Sequence, residues 1–90
     1  MGNITNMMSK FNQIQLLCFW ICDNTKYKII DTFDGKKGEI HIKIYKSVTS
    51  IKPENIYKLD SIWVKSEAIV LKGMDNIIQH LLIIKTENEL

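Results

Sequence analysis

Three side chains that could contact a nucleic acid alternate along one short stretch of the chain. His41, Lys43 and Tyr45 occupy every second position of EIHIKIY, so an extended strand places them on one side. An aromatic ring can stack on a base and a lysine can contact a phosphate. The pattern therefore predicts a single-stranded nucleic-acid site, although an ordinary solvated strand face fits it too. The predicted contact residues are Lys28, Lys36, Lys37, His41, Lys43 and Tyr45.

A second candidate surface lies near the C-terminus, where apolar residues follow Asp75 at helical intervals. Asp75 is a suitable N-cap, so the spacing favours a helix, with an extended strand as the alternative. The apolar stripe is wider than a small domain can easily bury, which favours a partner protein over packing against the chain's own core. The predicted partner-binding residues are Ile77, Ile78, Leu81, Leu82 and Ile84.

The cysteines and tryptophans are predicted to be structural. Cys18 and Cys22 lie four residues apart in an apolar run, as expected for buried thiols, and the chain has too few histidines for a zinc site of ordinary spacing. Trp20 and Trp63 also lie in apolar runs, which indicates a core or an interface rather than stacking on bases. We therefore predict no metal site.

The carboxylates near the centre of the chain do not form a convincing catalytic set. Asp31, Asp34 and Glu39 flank the glycine-containing segment DGKKG, where Asp34 is suited to capping a turn. The sequence has no phosphate-binding loop, dinucleotide fingerprint or serine hydrolase motif. We therefore predict that the protein is not an enzyme and has no cofactor.

Length and charge limit the possibilities further. The 90 residues suffice for one domain, and the net charge of +2 is too small to indicate a strong nucleic-acid binder. All twelve basic residues are lysines, so no guanidinium group is available for bidentate contacts. The N-terminal residues lack the pattern of a secretory signal, and the longest apolar run, Ile14–Cys22, is too short to span a bilayer.

Hydrophobic periodicity predicts five short strands between two helices. Residues 4–11 have a helical stripe within a predicted helical segment, 1–12, and the strands lie in a predicted barrel domain, 13–73. Residues 74–90 form the predicted assembly helix. The expected strands are 14–22, 27–33, 40–45, 56–65 and 68–72, with a tight hairpin at Gly35 and Gly38 joining the second and third.

Three stretches resemble the smallest subunit of replication protein A, the heterotrimer that coats single-stranded DNA. They are NITNMMSKF with LCFW, the hairpin YKIIDTFDGKKGEIHI, and IYKLDSIWVKSEAIV. A small subunit of a telomere-capping or telomerase-associated complex with the same design is a related resemblance. The likeness implies an all-β fold with flanking helices: a five-stranded OB-fold (oligonucleotide/oligosaccharide-binding) barrel with a short N-terminal helix and a C-terminal helix.

The same resemblance implies a role and a location. The chain would be a nuclear, structural subunit in DNA replication, repair or telomere maintenance. Its C-terminal helix would pack against other OB-fold subunits, and it would contact single-stranded DNA mostly indirectly. Two alternatives are a stand-alone single-strand-binding protein and a small translation-related module that binds RNA.

Overall fold

Two helices lie on one face of a three-stranded antiparallel sheet in the computed structural model, which describes residues 3–89. Residues 1–2 and 90, which belong to the predicted terminal segments, lie outside the described residues. The sheet order is β1-β2-β3. The elements in chain order are α1 (Asn3–Asn24), β1 (Lys28–Asp34), β2 (Glu39–Tyr45), β3 (Asn55–Leu59) and α2 (Glu67–Glu87).

The predicted five-stranded OB-fold barrel is wrong. The three strands form an open sheet whose two outer strands, β1 and β3, do not pair with each other. Both helices are more than 20 residues long, so the chain is a small α+β domain in which helices make up about half of the residues. Two of the predicted strands are helical, and this accounts for most of the difference.

The predicted first strand, residues 14–22, belongs to α1. Its buried side chains are Ile14, Leu17, Cys18 and Ile21, which recur at helical spacing, whereas Leu16 and Phe19 face solvent. The run reads as continuously apolar because these exposed positions also carry large apolar residues. Such a run does not by itself distinguish a strand from a helix.

The predicted fourth and fifth strands are also corrected. β3 ends at Leu59, and a turn that includes Ser61 with a positive φ of 52° follows it. The predicted fifth strand, residues 68–72, is the first part of α2, whose N-cap is Ser66; its side chain accepts a hydrogen bond from the backbone N–H of Ile69. Gly73 lies inside α2 and does not end a sheet. The side chain of Leu59 packs closely against this glycine.

The predicted hairpin is confirmed. β1 pairs with β2 from Lys28 opposite Tyr45 to Asp34 opposite Glu39, and Ile40, Ile42 and Ile44 all point into the core as their alternation predicts. The Asp34 carboxylate accepts hydrogen bonds from the backbone N–H groups of Lys36 and Lys37, at 3.0 and 3.1 Å, which confirms its turn-capping role.

The core lies between the sheet and the helices. The three isoleucines of β2 meet apolar side chains from both helices, and α2 contributes Val70, Met74, Ile77, Ile78, Leu81 and Ile84. The prediction of a helix rather than a strand in the C-terminal segment is confirmed, although α2 begins eight residues before Asp75. The helices thus cover one face of the sheet, and neither of them packs on the opposite face.

Candidate nucleic-acid interface on the outer sheet face

The strand register shows which side chains share the sheet face that points away from the helices, here called the outer face. Residues directly opposite each other in antiparallel strands point to the same side. The face opposite the buried isoleucines of β2 carries, from β1, Lys28, Ile30, Thr32 and Asp34; from β2, Glu39, His41, Lys43 and Tyr45; and from β3, Ile56 and Lys58. Four of the six predicted nucleic-acid contacts, Lys28, His41, Lys43 and Tyr45, thus lie on one face.

Three lysines of the outer face form a line across the sheet, here called the lysine diagonal. Lys28 of β1 pairs with Tyr45, and Lys43 lies two residues from Tyr45 on β2. Lys43 in turn lies opposite Ile56 of β3, two residues from Lys58. Such diagonal neighbours lie about 7–8 Å apart. The lysine diagonal therefore has one cation per strand at a regular interval.

Tyr45 is placed on this face but is not available as a stacking platform. Its side chain is 9% exposed, and the Lys28 ammonium lies 4.4 Å from the centroid of its ring. A cation at that distance over an aromatic face is attracted by the ring. Tyr45 thus holds the first cation of the lysine diagonal in position, while its own ring stays covered.

His41 lies between Thr32 and Lys58 on the outer face. Its Nε2 is buried with no hydrogen-bond partner among the described residues, and the nearest carboxylate oxygen, on Glu39, is 4.0 Å away. A buried ring nitrogen of this kind is costly to leave unpaired. A ligand or an ordered water that reached this part of the face could supply the missing partner.

The hairpin extends the basic surface beyond the strands. Lys36 and Lys37 are exposed in the turn between β1 and β2, and their backbone amides are held by Asp34. The turn needs Gly38, whose φ is +65° and whose α-carbon faces Trp63. The two hairpin lysines therefore project from a well-defined turn.

Charge is distributed unequally between the two sides of the protein. The outer face and hairpin carry five lysines and two carboxylates, whereas the two helices carry three lysines and four carboxylates. The lysine–carboxylate ion pairs found within residues 3–89 join Lys10 to Asp75, Lys65 to Asp60 and Lys85 to Glu89. None of them uses a lysine of the outer face or hairpin, so these five cations remain available to an anionic ligand.

The predicted partner-binding residues of the C-terminal segment are placed mostly inside the protein. Ile77, Ile78, Leu81 and Ile84 are buried against the chain's own core, and Leu82 is 37% exposed. The apolar stripe is wide because α2 packs against both α1 and the sheet. A partner could reach four of these five side chains only if the helix left its own core.

The remaining sequence candidates have structural positions. Trp20 packs at the edge of the core beneath the Lys85 ammonium, which lies 4.9 Å from the ring centroid, and Trp63 is half-exposed beside the hairpin. Cys18 is buried, as predicted, but Cys22, in the last turn of α1, is exposed. Within residues 3–89 no group of three or more histidine, cysteine, aspartate and glutamate side chains is arranged to hold a metal ion.

Sequence reasoning missed Lys58 and the apolar cavity beside Trp63. Lys58 was placed in a strand, but its position on the outer face depends on the register between β2 and β3, which a loop of nine residues separates.

Within the part of the chain that the structure describes, neither helix has the length and apolarity needed to cross a membrane. Comparison of the chain with protein-family models, curated proteins and solved structures found no match.

Proposed function

We propose that this protein binds single-stranded nucleic acid through its phosphate backbone, using the outer face of the sheet. The observation that carries the proposal is the lysine diagonal: Lys28, Lys43 and Lys58 lie in a line and form no ion pair with a carboxylate of residues 3–89. A row of cations fits a linear polyanion, because successive phosphates can each meet one lysine. The hairpin lysines add two further cations at one end of the face.

The same face favours contacts to phosphates over recognition of bases. Lysine is a compact point charge, and the chain has no arginine to make bidentate contacts with a base edge. Tyr45 is covered and offers no face to a base, which leaves the partly exposed imidazole of His41 as the one ring on the described outer face that a base could reach. Binding should therefore be insensitive to base sequence and strongly dependent on salt.

A single strand is favoured over a duplex because the cations form one row. The backbones of the two outer strands are about 10 Å apart, and the lysine diagonal runs from one outer strand to the other as a single row. One row of lysines can contact one phosphate backbone, whereas a duplex presents two backbones separated by a groove. The assembly role expected from the resemblance to replication protein A uses the C-terminal helix, most of whose apolar side chains are buried in the chain's own core. This role stays a prediction, as does the nuclear location.

The test is fluorescence anisotropy with labelled single-stranded DNA and RNA of about 20 nucleotides, and with the matching duplexes, over a series of salt concentrations. If five lysines contact phosphates, the slope of log K against log salt is about −3.5 for a single strand. The triple variant Lys28→Gln, Lys43→Gln, Lys58→Gln should reduce the slope to about −1.4.

A matched control removes the same charge from the other side of the protein. The triple variant Lys10→Gln, Lys72→Gln, Lys85→Gln changes three lysines of the helices, two of them in ion pairs. It should retain most of the affinity and nearly the whole salt slope. Equal losses in the two triple variants would show non-specific attraction by net charge, and tighter binding to the duplex would contradict the preference for a single strand.

A further inference from the structure

A half-open apolar cavity of about 380 Å³ lies at the hairpin end of the molecule, on the side of the sheet opposite the lysine diagonal. Buried Ile40 and Met74 lie at its base, and Phe11 and Phe33 form part of its wall. Its lining is almost wholly apolar. Cavities of roughly 300–1,000 Å³ with apolar walls are typical small-molecule sites.

The cavity is held open by the turn after β3. Trp63 Nε1–H donates a hydrogen bond of 2.7 Å to the carbonyl oxygen of Gly35, which fixes the indole beside the hairpin. The backbone N–H of Ile62 donates to the carbonyl oxygen of Gly38 at 3.1 Å, and Ser61 adopts a positive φ to make the turn. These contacts use the polar atom of the indole, so the ring presents an apolar surface to the cavity.

Large apolar side chains remain exposed around this cavity. Met8 is 61% exposed and Trp63 is 51% exposed, and Phe33 is also exposed. Phe33 contacts both Phe11 and Trp63, with ring centroids 5.4 and 6.5 Å apart, so these rings support one another at the rim. Clustered exposed apolar surface of this kind is typical of a binding site. The methionines Met7, Met8 and Met74 can adapt to an occupant because their side chains are flexible.

Two lysines follow the cavity-lining Gly35 in the hairpin. Gly35 lines the cavity, and the next two residues are Lys36 and Lys37, both exposed and in no ion pair with a carboxylate within the described chain. The nearby carboxylate, Asp34, accepts hydrogen bonds from their backbone amides. An occupant with a hydrocarbon body and an anionic head would therefore meet complementary groups at both ends.

We propose that this cavity binds a single-chain amphipathic anion, with its hydrocarbon body among Met7, Phe11, Phe33 and Trp63 and its head group at Lys36 and Lys37. This ligand class is distinct from the polyanion assigned to the outer face. The site adds a second binding activity that shares Lys36 and Lys37 with the proposed nucleic-acid surface but does not use the lysine diagonal.

Titrations with three single-chain amphiphiles of equal chain length test the proposal: decanoate, decanol and decyltrimethylammonium. The readout is the fluorescence of Trp63 in a Trp20→Phe variant, in which Trp63 is the remaining tryptophan. Decanoate should bind most tightly and the cationic amphiphile most weakly. Failure of all three to change the fluorescence, or equal affinity for the anion and the cation, would overturn the proposal.

Variants separate the apolar body from the head group. Met8→Glu places a carboxylate on the cavity rim and should weaken decanol and decanoate at least about tenfold, the loss expected when a charge must be desolvated. Leu16→Glu is the matched control, since Leu16 is similarly exposed on the same helix and does not line the cavity. An equal loss in Leu16→Glu would assign the binding to another surface.

The double variant Lys36→Gln, Lys37→Gln should weaken decanoate several-fold and leave decanol unchanged. The triple variant of the lysine diagonal should leave both affinities unchanged. An unchanged decanoate affinity without the hairpin lysines would show that the head group does not lie there. A loss of decanoate binding in the triple variant would contradict a site that does not use the lysine diagonal, and it would do so whether or not the outer face binds nucleic acid.

Discussion

Lys28 and Tyr45, which are direct partners in the antiparallel pairing of β1 with β2, form a cation–π contact with the ammonium 4.4 Å from the ring centroid. The contact joins two residues that sequence patterning assigned to one nucleic-acid site, but it gives them different roles. The ring is covered and the ammonium remains at the surface. Tyr45 therefore supports a cation instead of offering a face to a base.

Replacing Tyr45 distinguishes these roles. We expect Tyr45→Leu to lower the affinity for single-stranded nucleic acid less than about threefold, because Lys28 stays on the face and loses only its positioning contact. A stacking role would cost about 1–3 kcal/mol, a loss of at least fivefold. Lys28→Gln provides the comparison: it should weaken binding and reduce the salt slope by about 0.7. A loss larger for Tyr45→Leu than for Lys28→Gln would contradict the assignment.

Gly38 is required by both its backbone conformation and its neighbours. Its φ is +65°, and an added Cβ would lie 2.9 Å from Cδ1 of Trp63. Gly38→Ala should therefore lower the free energy of unfolding by about 1–3 kcal/mol, measured by urea denaturation. Gly35→Ala is the matched control in the same hairpin. An added Cβ there would make an ordinary contact, 3.5 Å from Phe33, and should change stability by less than about 1 kcal/mol. Equal costs at the two positions would contradict this account.

The hairpin could be predicted from sequence because its signals are local. Alternating isoleucines specify the buried side of β2, and Asp34 with Gly38 specifies the turn, so strand pairing follows without knowledge of the remaining chain. The outer-face side chains of β1 and β2 follow from the same alternation. The prediction that Lys28, His41, Lys43 and Tyr45 lie close together was therefore correct.

The helices and the third strand could not be predicted in the same way. In α1, large apolar residues occupy exposed positions such as Leu16 and Phe19, which hides the helical period. In α2, the β-branched Ile69 and Val70 favour a strand locally, but the Ser66 cap and packing on the core make this segment helical. The place of Lys58 and the cavity beside Trp63 depend on tertiary contacts across long sequence separations. Local patterns carry no information about these contacts.

Adjacent leucines in α2 test whether this helix serves the protein's own core. Leu81 is fully buried, whereas Leu82 is partly exposed. We expect Leu81→Ala to reduce the free energy of unfolding by about 2–5 kcal/mol, the range for a buried leucine, and Leu82→Ala by less than about 1 kcal/mol. Urea denaturation of the isolated protein measures both. Similar small losses at both positions would indicate that α2 is not packed on this core and would restore its predicted role in docking a partner.

The two cysteines should differ in reactivity because only one of them faces solvent. Burial raises the pKa of the Cys18 thiol to about 12, with further contributions from Asp31 and Cys22. Because the thiolate is the reactive form, Cys18 should stay unmodified in the native protein, while exposed Cys22 reacts. A colorimetric thiol reagent should therefore release one equivalent before unfolding and two after it. Cys22→Ser should abolish the native reaction, and fast labelling of Cys18 in that variant would contradict the packing of α1.

Asp31 should make stability depend on pH, because its carboxylate lies beneath α1. Burial raises the pKa of this carboxyl, and a hydrogen bond from the Gln15 side-chain amide partly opposes the rise; the second carboxylate oxygen is buried without a partner among the described residues. A raised pKa means that the folded state holds the proton more tightly than the unfolded chain. The favourable contribution is thus full below the unfolded pKa and is lost as pH rises through the folded pKa. Asp31→Asn should therefore be more stable than the parent protein near neutral pH, and the difference should shrink at about pH 3.

Asp60 is a control for this experiment, because its pKa is shifted in the opposite direction from that of Asp31. A hydrogen bond and the charge of Lys65 hold the pKa of the Asp60 carboxyl below its usual value, so its favourable contribution is present at neutral pH and is lost as pH falls. Asp60→Asn should therefore lower stability near neutral pH, if only slightly, since the pair is exposed. Urea denaturation of both variants and the parent protein at the two pH values gives the comparison. If Asp31→Asn destabilises the protein at neutral pH as Asp60→Asn does, then the Asp31 charge is stabilised by its surroundings, and the position of α1 over β1 is wrong.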